Sequence, residues 1–293
     1  MAQRRYYRVA GHYFSVTAEE TVFAQMSNYQ PFETKDADED TVFDLTVGEV
    51  DLSEEKTHVF TDVSDDDMPR IEFYRIGQDR LFQVSMTKAS ETCLSLRTSD
   101  DFRHAVLSFS APDIRFCIDN ACMLLYAFAT ASKQTLEMHA AVIERKGHGF
   151  LFLGHSGTGK STHARMWMAA FEDAKLLNDD NPILRILENG EVHVYGSPWS
   201  GKTPCYINRE VPVGAIVQLA QAPYNRIQPI RLPEAYAYML SSASGLKIEP
   251  KMMDALYDTI ARTIQTVQVY KMECLPDTDA ARVCEQEVTT FLK

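Results

Sequence analysis

The first 110 residues are dominated by short runs in which apolar and polar residues alternate. Alternation with a period of two is typical of strands that bury one face. Turn-forming residues separate the runs, as in the sequence Gly77-Gln78-Asp79. The pattern therefore predicts an antiparallel β-rich domain over residues 1–110, with strands at 41–47, 58–63, 70–76, 80–86, 93–97 and 105–109.

Residues 113–133 follow a different pattern, because their apolar residues recur every three or four positions. This spacing places the apolar residues on one face of a helix. Pro112 lies near the first turn, where proline is well tolerated. We interpret residues 111–135 as a connecting helix, with an apolar stripe made of Ile114, Cys117, Ile118, Ala121, Leu124, Leu125 and Phe128.

Beyond residue 135 strand and helix patterns are mixed, which is typical of an α/β domain. We therefore expect a second domain over residues 136–293. Its predicted helices lie at 160–172, 233–244, 250–267 and 277–292. Its predicted strands lie at 139–144, 149–153, 175–178, 183–187, 193–195, 215–220, 226–232 and 267–272.

The negative charge of the chain is concentrated in one segment. The formal net charge is −12, and residues 33–67 account for all of it with 14 acidic and 2 basic residues. The rest of the chain is balanced, so we expect no attraction to nucleic acid or to an anionic membrane. The acidic runs at 36–40 and 65–67 are expected to be solvated loops.

The six cysteines form no C-x-x-C pair and have no zinc-ligand spacing with histidine. We interpret them as buried thiols in a reducing compartment. The basic residues near the N-terminus are not followed by the apolar core of a signal peptide. The longest apolar stretch, at 121–131, is expected to be too short to span a bilayer. Together these features predict a cytoplasmic protein.

One short segment carries a specific chemical signal, because residues 154–161 fit the phosphate-binding pattern G-x-x-x-x-G-K-[ST]. The glycines allow backbone N–H groups to turn inward onto phosphate oxygens, and the following helix adds its positive N-terminal end. An apolar strand precedes the segment and a predicted helix follows it. Lys160 is expected beside the β- and γ-phosphates, and Ser161 as a Mg²⁺ ligand. The predicted nucleotide-binding residues are Gly154, His155, Ser156, Gly157, Thr158, Gly159, Lys160, Ser161 and Thr162.

The next predicted strand, 175–178, runs directly into two acidic residues, Asp179 and Asp180. Successive side chains of an extended strand point to opposite sides. One carboxylate can therefore face Mg²⁺ while the other faces an acceptor hydroxyl, as in nucleotide-dependent phosphotransferases. The alternative is an ordinary strand-end turn, because Asp-Asp-Asn-Pro is also good turn chemistry.

These segments resemble the catalytic domain of HPr kinase/phosphorylase, and the loop is also similar to that of ATP-dependent phosphoenolpyruvate carboxykinase. The shared elements are Met138-His139-Ala140, the glycine-rich loop, and Leu177-Asn178-Asp179-Asp180 a short distance beyond it. The resemblance covers residues 134–200 well and 201–293 in general pattern, but not the first 110 residues. It implies an α/β P-loop kinase domain of the HPr kinase/phosphoenolpyruvate carboxykinase type, and the alternation pattern places a β-rich N-terminal domain before it.

The resemblance also implies roles for individual residues. Asp179 matches the general base that acts on the acceptor hydroxyl, Asp180 matches an acid near the metal, and His139 matches a histidine near the transferred phosphate. The family's Ile-Arg-Gly-Leu-Gly segment is replaced here by residues 196–202. We expect this segment to form an acceptor-side loop in which Trp199 and Lys202 close over a ligand, the alternative being a surface turn.

The leading hypothesis is a Mg²⁺- and ATP-dependent kinase that phosphorylates a hydroxyl group. In this hypothesis Lys160, Asp179 and His139 are catalytic, and Ser161 and Asp180 hold Mg²⁺. The acceptor can be a small molecule or a serine of a peptide or protein. Whether the protein forms a homo-oligomer also stays open. Two alternatives are a nucleotide-gated regulatory or binding protein without phosphoryl transfer, and a carboxykinase-like enzyme. GTP and pyrophosphate also remain open as donors.

Overall fold

The computed structural model describes residues 1–35, 40–62, 69–87, 90–110, 112–201 and 203–290. It divides the chain into two compact units, Met1–Ala129 and Thr130–Lys293. The helix predicted as a connection therefore falls almost entirely within the first unit. Most of the acidic runs at 36–40 and 65–67 lies outside the described residues.

Within the described residues, the first unit contains a nine-stranded sheet in the order β3-β1-β2-β4-β9-β8-β7-β6-β5. Its helical segments are α1 (Glu20–Phe23), a 3₁₀ helix (Ser27–Phe32) and α2 (Ile114–Thr130). The strands are β1 (Gln3–Val9), β2 (His12–Ala18), β3 (Glu33–Thr34), β4 (Phe43–Val47), β5 (Lys56–Asp62), β6 (Arg70–Ile76), β7 (Asp79–Ser85), β8 (Thr92–Thr98) and β9 (His104–Phe109).

This sheet is mixed, which corrects the prediction of an antiparallel domain. Strand β4 pairs in parallel with both β2 and β9. Parallel pairing needs a long crossover between strands. The helical segment after β2 and the β5–β8 meander after β4 supply these two crossovers.

Helix α2 forms part of the core of the first unit. Cys117, Ile118, Ala121 and Leu125 of the predicted stripe are buried. The hydroxyl of Tyr126 donates a hydrogen bond to the carbonyl of Val9 at 2.9 Å. Together with its following turn the helix spans 20 residues and is long and apolar enough to cross a membrane, contrary to the length argument from sequence. Its most apolar stretch of 18 residues is 56% buried, as expected for a helix that packs in the core.

The second unit is an α/β structure built on a mixed sheet in the order β10-β14-β15-β16-β12-β11-β13. Its helices are α3 (Lys160–Ala170), α4 (Leu232–Ser242), α5 (Pro250–Thr266) and α6 (Thr278–Val288), after a 3₁₀ turn (Ala131–Lys133). The strands are β10 (Thr135–Glu137), β11 (Ala140–Arg145), β12 (His148–Leu153), β13 (Lys175–Asp180), β14 (Ile183–Ile186), β15 (Val192–Tyr195), β16 (Glu210–Gln221), β17 (Arg226–Pro229) and β18 (Val269–Cys274), the last pairing with β16 and β17.

Helices cover both faces of this sheet. Met138 and Ala140 pack in one core with α4 and α5, whereas Ala141 and Ile143 pack in a second core with α3 and α6. His139 lies between Met138 and Ala140 in sequence and contacts Lys160 of α3, so its side chain belongs to the face that carries α3.

Strand directions bring three segments to one edge of the sheet. Strand β11 is antiparallel to both β12 and β13, so β12 and β13 run in the same direction. The carboxyl ends of β12 and β13 therefore lie at the same edge as the beginning of β11. The sequence after β12, the residues before β11 and the last residues of β13 meet at this edge, as ligand sites of α/β folds do.

Most elements predicted for the second unit are present with shifted ends. Strand β13 continues to Asp180, and β16 begins at Glu210 rather than at 215. Helix α6 ends at Val288 rather than at 292. The three-residue strand β10 was not predicted, because it is too short to display a period.

Candidate functional site

The glycine-rich loop joins β12 directly to α3. Gly154, Gly157 and Gly159 have φ angles of +156°, +77° and +107°, which glycine adopts without a steric penalty. The amide of His163 donates to the carbonyl of Gly159 at 2.8 Å, so the helix starts immediately after the last glycine. The N-cap residue is Gly159, which has no side chain to accept from the first N–H groups of the helix, so these groups face the loop. This is the form of a phosphate-binding loop.

Lys160 turns back into the loop and is 9% exposed. Its Nζ donates to the carbonyls of Gly154 at 2.8 Å and His155 at 3.4 Å. Burial lowers the pKa of Lys160, and the carboxylates of Asp180 and Asp179 oppose that shift. The ammonium group is therefore held between the loop and the two acids.

His139 links Lys160 to Asp180. Its Nε2 lies 2.7 Å from Lys160 Nζ, and its Nδ1 lies 3.1 Å from Asp180 Oδ1. A charged ammonium group donates hydrogen bonds and accepts none. Nε2 must then be the acceptor, which leaves the proton on Nδ1, facing the carboxylate. The tautomer of His139 is thus fixed by its two neighbours.

Asp179 is buried and lies opposite Ala141 in the register of β11 and β13. Paired residues share a face of the sheet, so Asp179 belongs to the face of α3. Its carbonyl accepts hydrogen bonds from the amide of Gly201 at 2.5 Å and the hydroxyl of Ser200 at 3.2 Å. The segment 196–201 is therefore attached to the end of β13.

Asp180 has a φ angle of +141°, in a region that side chains rarely adopt. Such a conformation costs about 1–3 kcal/mol and persists when its surroundings impose it. The backbone of Asp180 pairs with Ser200, and its carboxylate contacts His139. This backbone conformation changes the direction of the chain between Asp179 and the residues that follow Asp180.

Asn178 holds the segment 196–201 in place and was not predicted as a site residue. Its Nδ2 donates at 3.1 Å to Ser197 Oγ and at 3.1 Å to the carbonyl of Trp199. Its Oδ1 accepts from the amide of Asn181 at 2.9 Å. The Asn-Asp-Asp sequence therefore carries a structural anchor immediately before its two acids.

The predicted acceptor-side loop differs from expectation in one respect. Trp199 is 1% exposed and belongs to the core, so it is not placed to close over a ligand. Gly196 has no room for a side chain, because a Cβ there would collide with the carbonyl of Ile207. Ser200 and Gly201 lie next to the acids, whereas the predicted residue Lys202 lies outside the described residues.

The remaining loop residues differ in exposure. His155, Ser156 and Gly157 are exposed, and Thr158, Ser161 and Thr162 are half-buried. Ser161 lies in the first turn of α3. Across the described residues, no group of three or more His, Cys, Asp or Glu side chains could hold a metal. A hydroxyl and one carboxylate are nevertheless a donor set that Mg²⁺ accepts, because it also takes phosphate oxygens and water.

Two further titratable groups flank the site. Glu137 is buried, and burial raises its pKa to about 8, with Asp180 adding to the shift and a hydrogen bond from Ser244 opposing it. Among the described residues its Oε2 has no hydrogen-bond partner. His163 is also buried, which lowers its pKa to about 4, and it accepts a hydrogen bond from Trp167 Nε1 at 3.1 Å. His163 is therefore a neutral packing residue.

A cavity of about 540 Å³ adjoins the loop on the side away from the two acids. Its walls come from the loop, the start of α3, the end of β16 and the segment after β18. The sequence offered no signal for it, because its residues come from three separate parts of the chain.

The site thus defines an α/β protein with a phosphate-binding type of loop facing two acids. The model of the SynChlorMet cassette protein ScmC family matches residues 109–273, which is more than half of the chain. The chain belongs to this family.

Two individual proteins are also similar. A protein of Shewanella frigidimarina (strain NCIMB 400), provisionally named a phosphoenolpyruvate synthase regulatory protein, is 23% identical over 202 residues, which cover 64% of this chain and 71% of that protein. The structure of the HPr(Ser) kinase/phosphatase from Coxiella burnetii aligns with a TM-score of 0.30 and 12% identity, over 52% of this chain and 95% of that chain.

Proposed function

We propose that this protein is an ATP- and Mg²⁺-dependent phosphotransferase that moves the γ-phosphate to a hydroxyl group. The observation that supports it best is the meeting of the glycine-rich loop, Lys160 and the pair Asp179 and Asp180 at one edge of the sheet. Phosphoryl transfer needs mainly positioning and charge stabilisation, so this small set of groups can suffice.

The loop and Lys160 would hold the phosphates. The amides at the start of α3 face the loop, and the positive end of the helix favours an anion there. The Nζ of Lys160 is already desolvated and needs to move only from the carbonyl of Gly154 to a phosphate oxygen. Ser161 and Asp180 would hold Mg²⁺, which would neutralise phosphate charge when bound.

Asp179 would act as the general base. The acceptor hydroxyl passes its proton to the carboxylate, its oxygen bonds to the γ-phosphorus, and the bond from that phosphorus to the bridging oxygen of ADP breaks. Burial of Asp179 keeps water away from this position, which disfavours hydrolysis. His139 would position Asp180 and Lys160 relative to each other, since it contacts both.

The acceptor in this proposal is a small molecule or a serine of a peptide or protein in the cytoplasm, and not nucleic acid or a membrane. The name of the Shewanella relative favours a regulatory role. The same name also fits a second candidate function. This candidate is a regulator that transfers no phosphate and whose affinity for a partner depends on bound nucleotide.

One experiment separates the two candidates. Purified protein is incubated with γ-labelled ATP, Mg²⁺ and cell extract divided by a small-pore filter into metabolites and proteins. Label that enters one fraction with the wild type but not with Asp179→Asn supports the kinase and identifies the acceptor class. If ATP binds and neither fraction is labelled, the kinase proposal is wrong and the nucleotide-gated regulator takes its place.

A further inference from the structure

The cavity beside the glycine-rich loop has a defined place in the topology. Strands β12, β16 and β18 are parallel, so their carboxyl ends share the edge from which the loop emerges. The cavity lies at the ends of β16 and β18, whereas β11 and β13 bring His139 and the acids to the other flank of the loop. A ligand bound to the loop would therefore have one chemically distinct environment on each side.

The walls of the cavity carry no formal charge. Leu219, Leu275 and Pro276 supply apolar surface, and Thr162 supplies a hydroxyl. Burial raises the pKa of the Cys274 thiol to about 11, so this wall residue is neutral at physiological pH. His163, the remaining titratable wall residue, is also neutral, because burial lowers its pKa. A phosphate would find no counter-charge here, whereas an uncharged planar ring would be well accommodated.

The size of the cavity also suits such a group. Its volume of about 540 Å³ lies within the range of about 300–1,000 Å³ found for small-molecule sites. The cavity reaches Gly157, Thr158 and Gly159 of the loop itself. A molecule in the cavity would therefore be continuous with phosphates held by the loop.

Gln221 ties the cavity wall to the loop. Its Nε2 donates to the carbonyl of Gly157 at 3.1 Å and lies 3.5 Å from the carbonyl of Thr158. Gln221 is the last residue of β16 and also lines the cavity. The position of the loop tip is thus coupled to the wall against which a ligand would pack.

From this arrangement we infer that the cavity binds the base and ribose of the nucleotide whose phosphates occupy the loop. The inference rests on the proposed function and extends it, because a P-loop motif reads phosphates and not bases. The phosphate chain then runs from the β16 and β18 side, across the loop, toward Asp179. The uncharged walls favour recognition of the base by packing and neutral hydrogen bonds.

The test compares ATP with inorganic tripolyphosphate, which has the phosphates and lacks the base and ribose. Binding of each with Mg²⁺ is measured by calorimetry for the wild type, Ala222→Trp and Ala237→Trp. Ala222 lines the cavity, whereas Ala237 is an exposed residue of α4 and serves as the matched control. We expect Ala222→Trp to lower the affinity for ATP at least about tenfold, because the indole would fill space needed by the base. This loss equals about the binding free energy of one buried apolar group. Tripolyphosphate binding and the control variant should stay unchanged.

A second measurement needs no variant. Wild-type protein is photolabelled with 8-azido-ATP, and the labelled peptide is identified by mass spectrometry. Label on residues 219–222 or 274–276 supports the inference, and label confined to other segments overturns it. Equal affinity of wild-type protein for ATP and tripolyphosphate also overturns it while leaving the phosphate site intact. If neither ligand binds, the proposed function fails and the inference fails with it.

Discussion

Replacing Glu137 by glutamine should change how the stability of the second unit depends on pH. Glu137 is 4% exposed, and burial raises its pKa from 4.5 to about 8. The folded-state pKa lies above the unfolded value, so the carboxyl group causes no loss of stability below pH 4.5. Stability is lost as the pH rises above 4.5 and the unfolded chain releases the proton that the folded chain retains. The loss levels off above pH 8, where both states are ionised.

The size of this effect follows from the interval between the folded and unfolded pKa values. A difference of one in pKa corresponds to about 1.4 kcal/mol, so the loss reaches about 3 kcal/mol at pH 7 and about 4 kcal/mol at pH 8. Glutamine does not titrate and removes this slope. It also leaves a buried amide, which costs free energy at every pH equally. The advantage of Glu137→Gln over the wild type should therefore grow steadily between about pH 5 and pH 8.

Urea unfolding followed by tryptophan fluorescence measures this advantage. Both tryptophans of the chain, Trp167 and Trp199, are buried in the second unit, so the signal reports on that unit. Glu188→Gln removes a carboxylate outside the core of the same unit and serves as control. If the free energy of unfolding of Glu137→Gln runs parallel to that of the wild type across this range, the carboxyl group is not desolvated as described and the reasoning is refuted.

Three further substitutions test the site. Asp179→Asn should lower transfer by about 10²–10⁴-fold with ATP affinity nearly unchanged, as measured by single-turnover kinetics and calorimetry; unchanged turnover would remove Asp179 as the base. Asp180→Asn should raise the Mg²⁺ concentration needed for half-maximal ATP binding by about tenfold or more, and an unaltered Mg²⁺ titration would contradict its assignment as a ligand. Gly196→Ala should destabilise the protein by about 2 kcal/mol or more in urea unfolding, because its Cβ would meet the carbonyl of Ile207. Gly245→Ala lies in the same unit, and its Cβ would meet Leu256 only at ordinary contact distances, so it should have a smaller effect; similar losses for both would argue against the clash.

The sequence predicts the part of the site that depends on local chemistry. The glycines of the loop, Lys160 and the acid pair occupy neighbouring positions, so a motif identifies them and the apolar strands beside them. Glu137 escapes such reasoning, because its burial depends on a three-residue strand and on Ser244, far along the chain. The cavity could not be predicted for the same reason, because residues from three separate parts of the chain line it.

Trp199 shows why the nature of a segment can be misjudged. Glycine, proline and serine around it are typical of a surface turn. In the structure, Asn178 and Ser197 bind the carbonyl of Trp199, and the indole is buried. One of these bonds joins residues 178 and 199, which are far apart in sequence, so the apolar positions within the segment cannot predict it. The mixed sheet of the first unit was missed on similar grounds, because parallel pairing of β4 depends on crossovers rather than on local alternation.

The charges of the site explain why a metal ion belongs in the proposal. Lys160 brings one positive charge to a region that contains the carboxylates of Asp179 and Asp180. A nucleoside triphosphate would add several negative charges beside them, and in a partly desolvated site like charges repel strongly. A divalent cation held by Asp180 would offset this repulsion. On the proposed function, ATP binding to this loop should therefore depend steeply on Mg²⁺, with Asp180, which contacts His139 and has a strained backbone, as the carboxylate that would hold the ion.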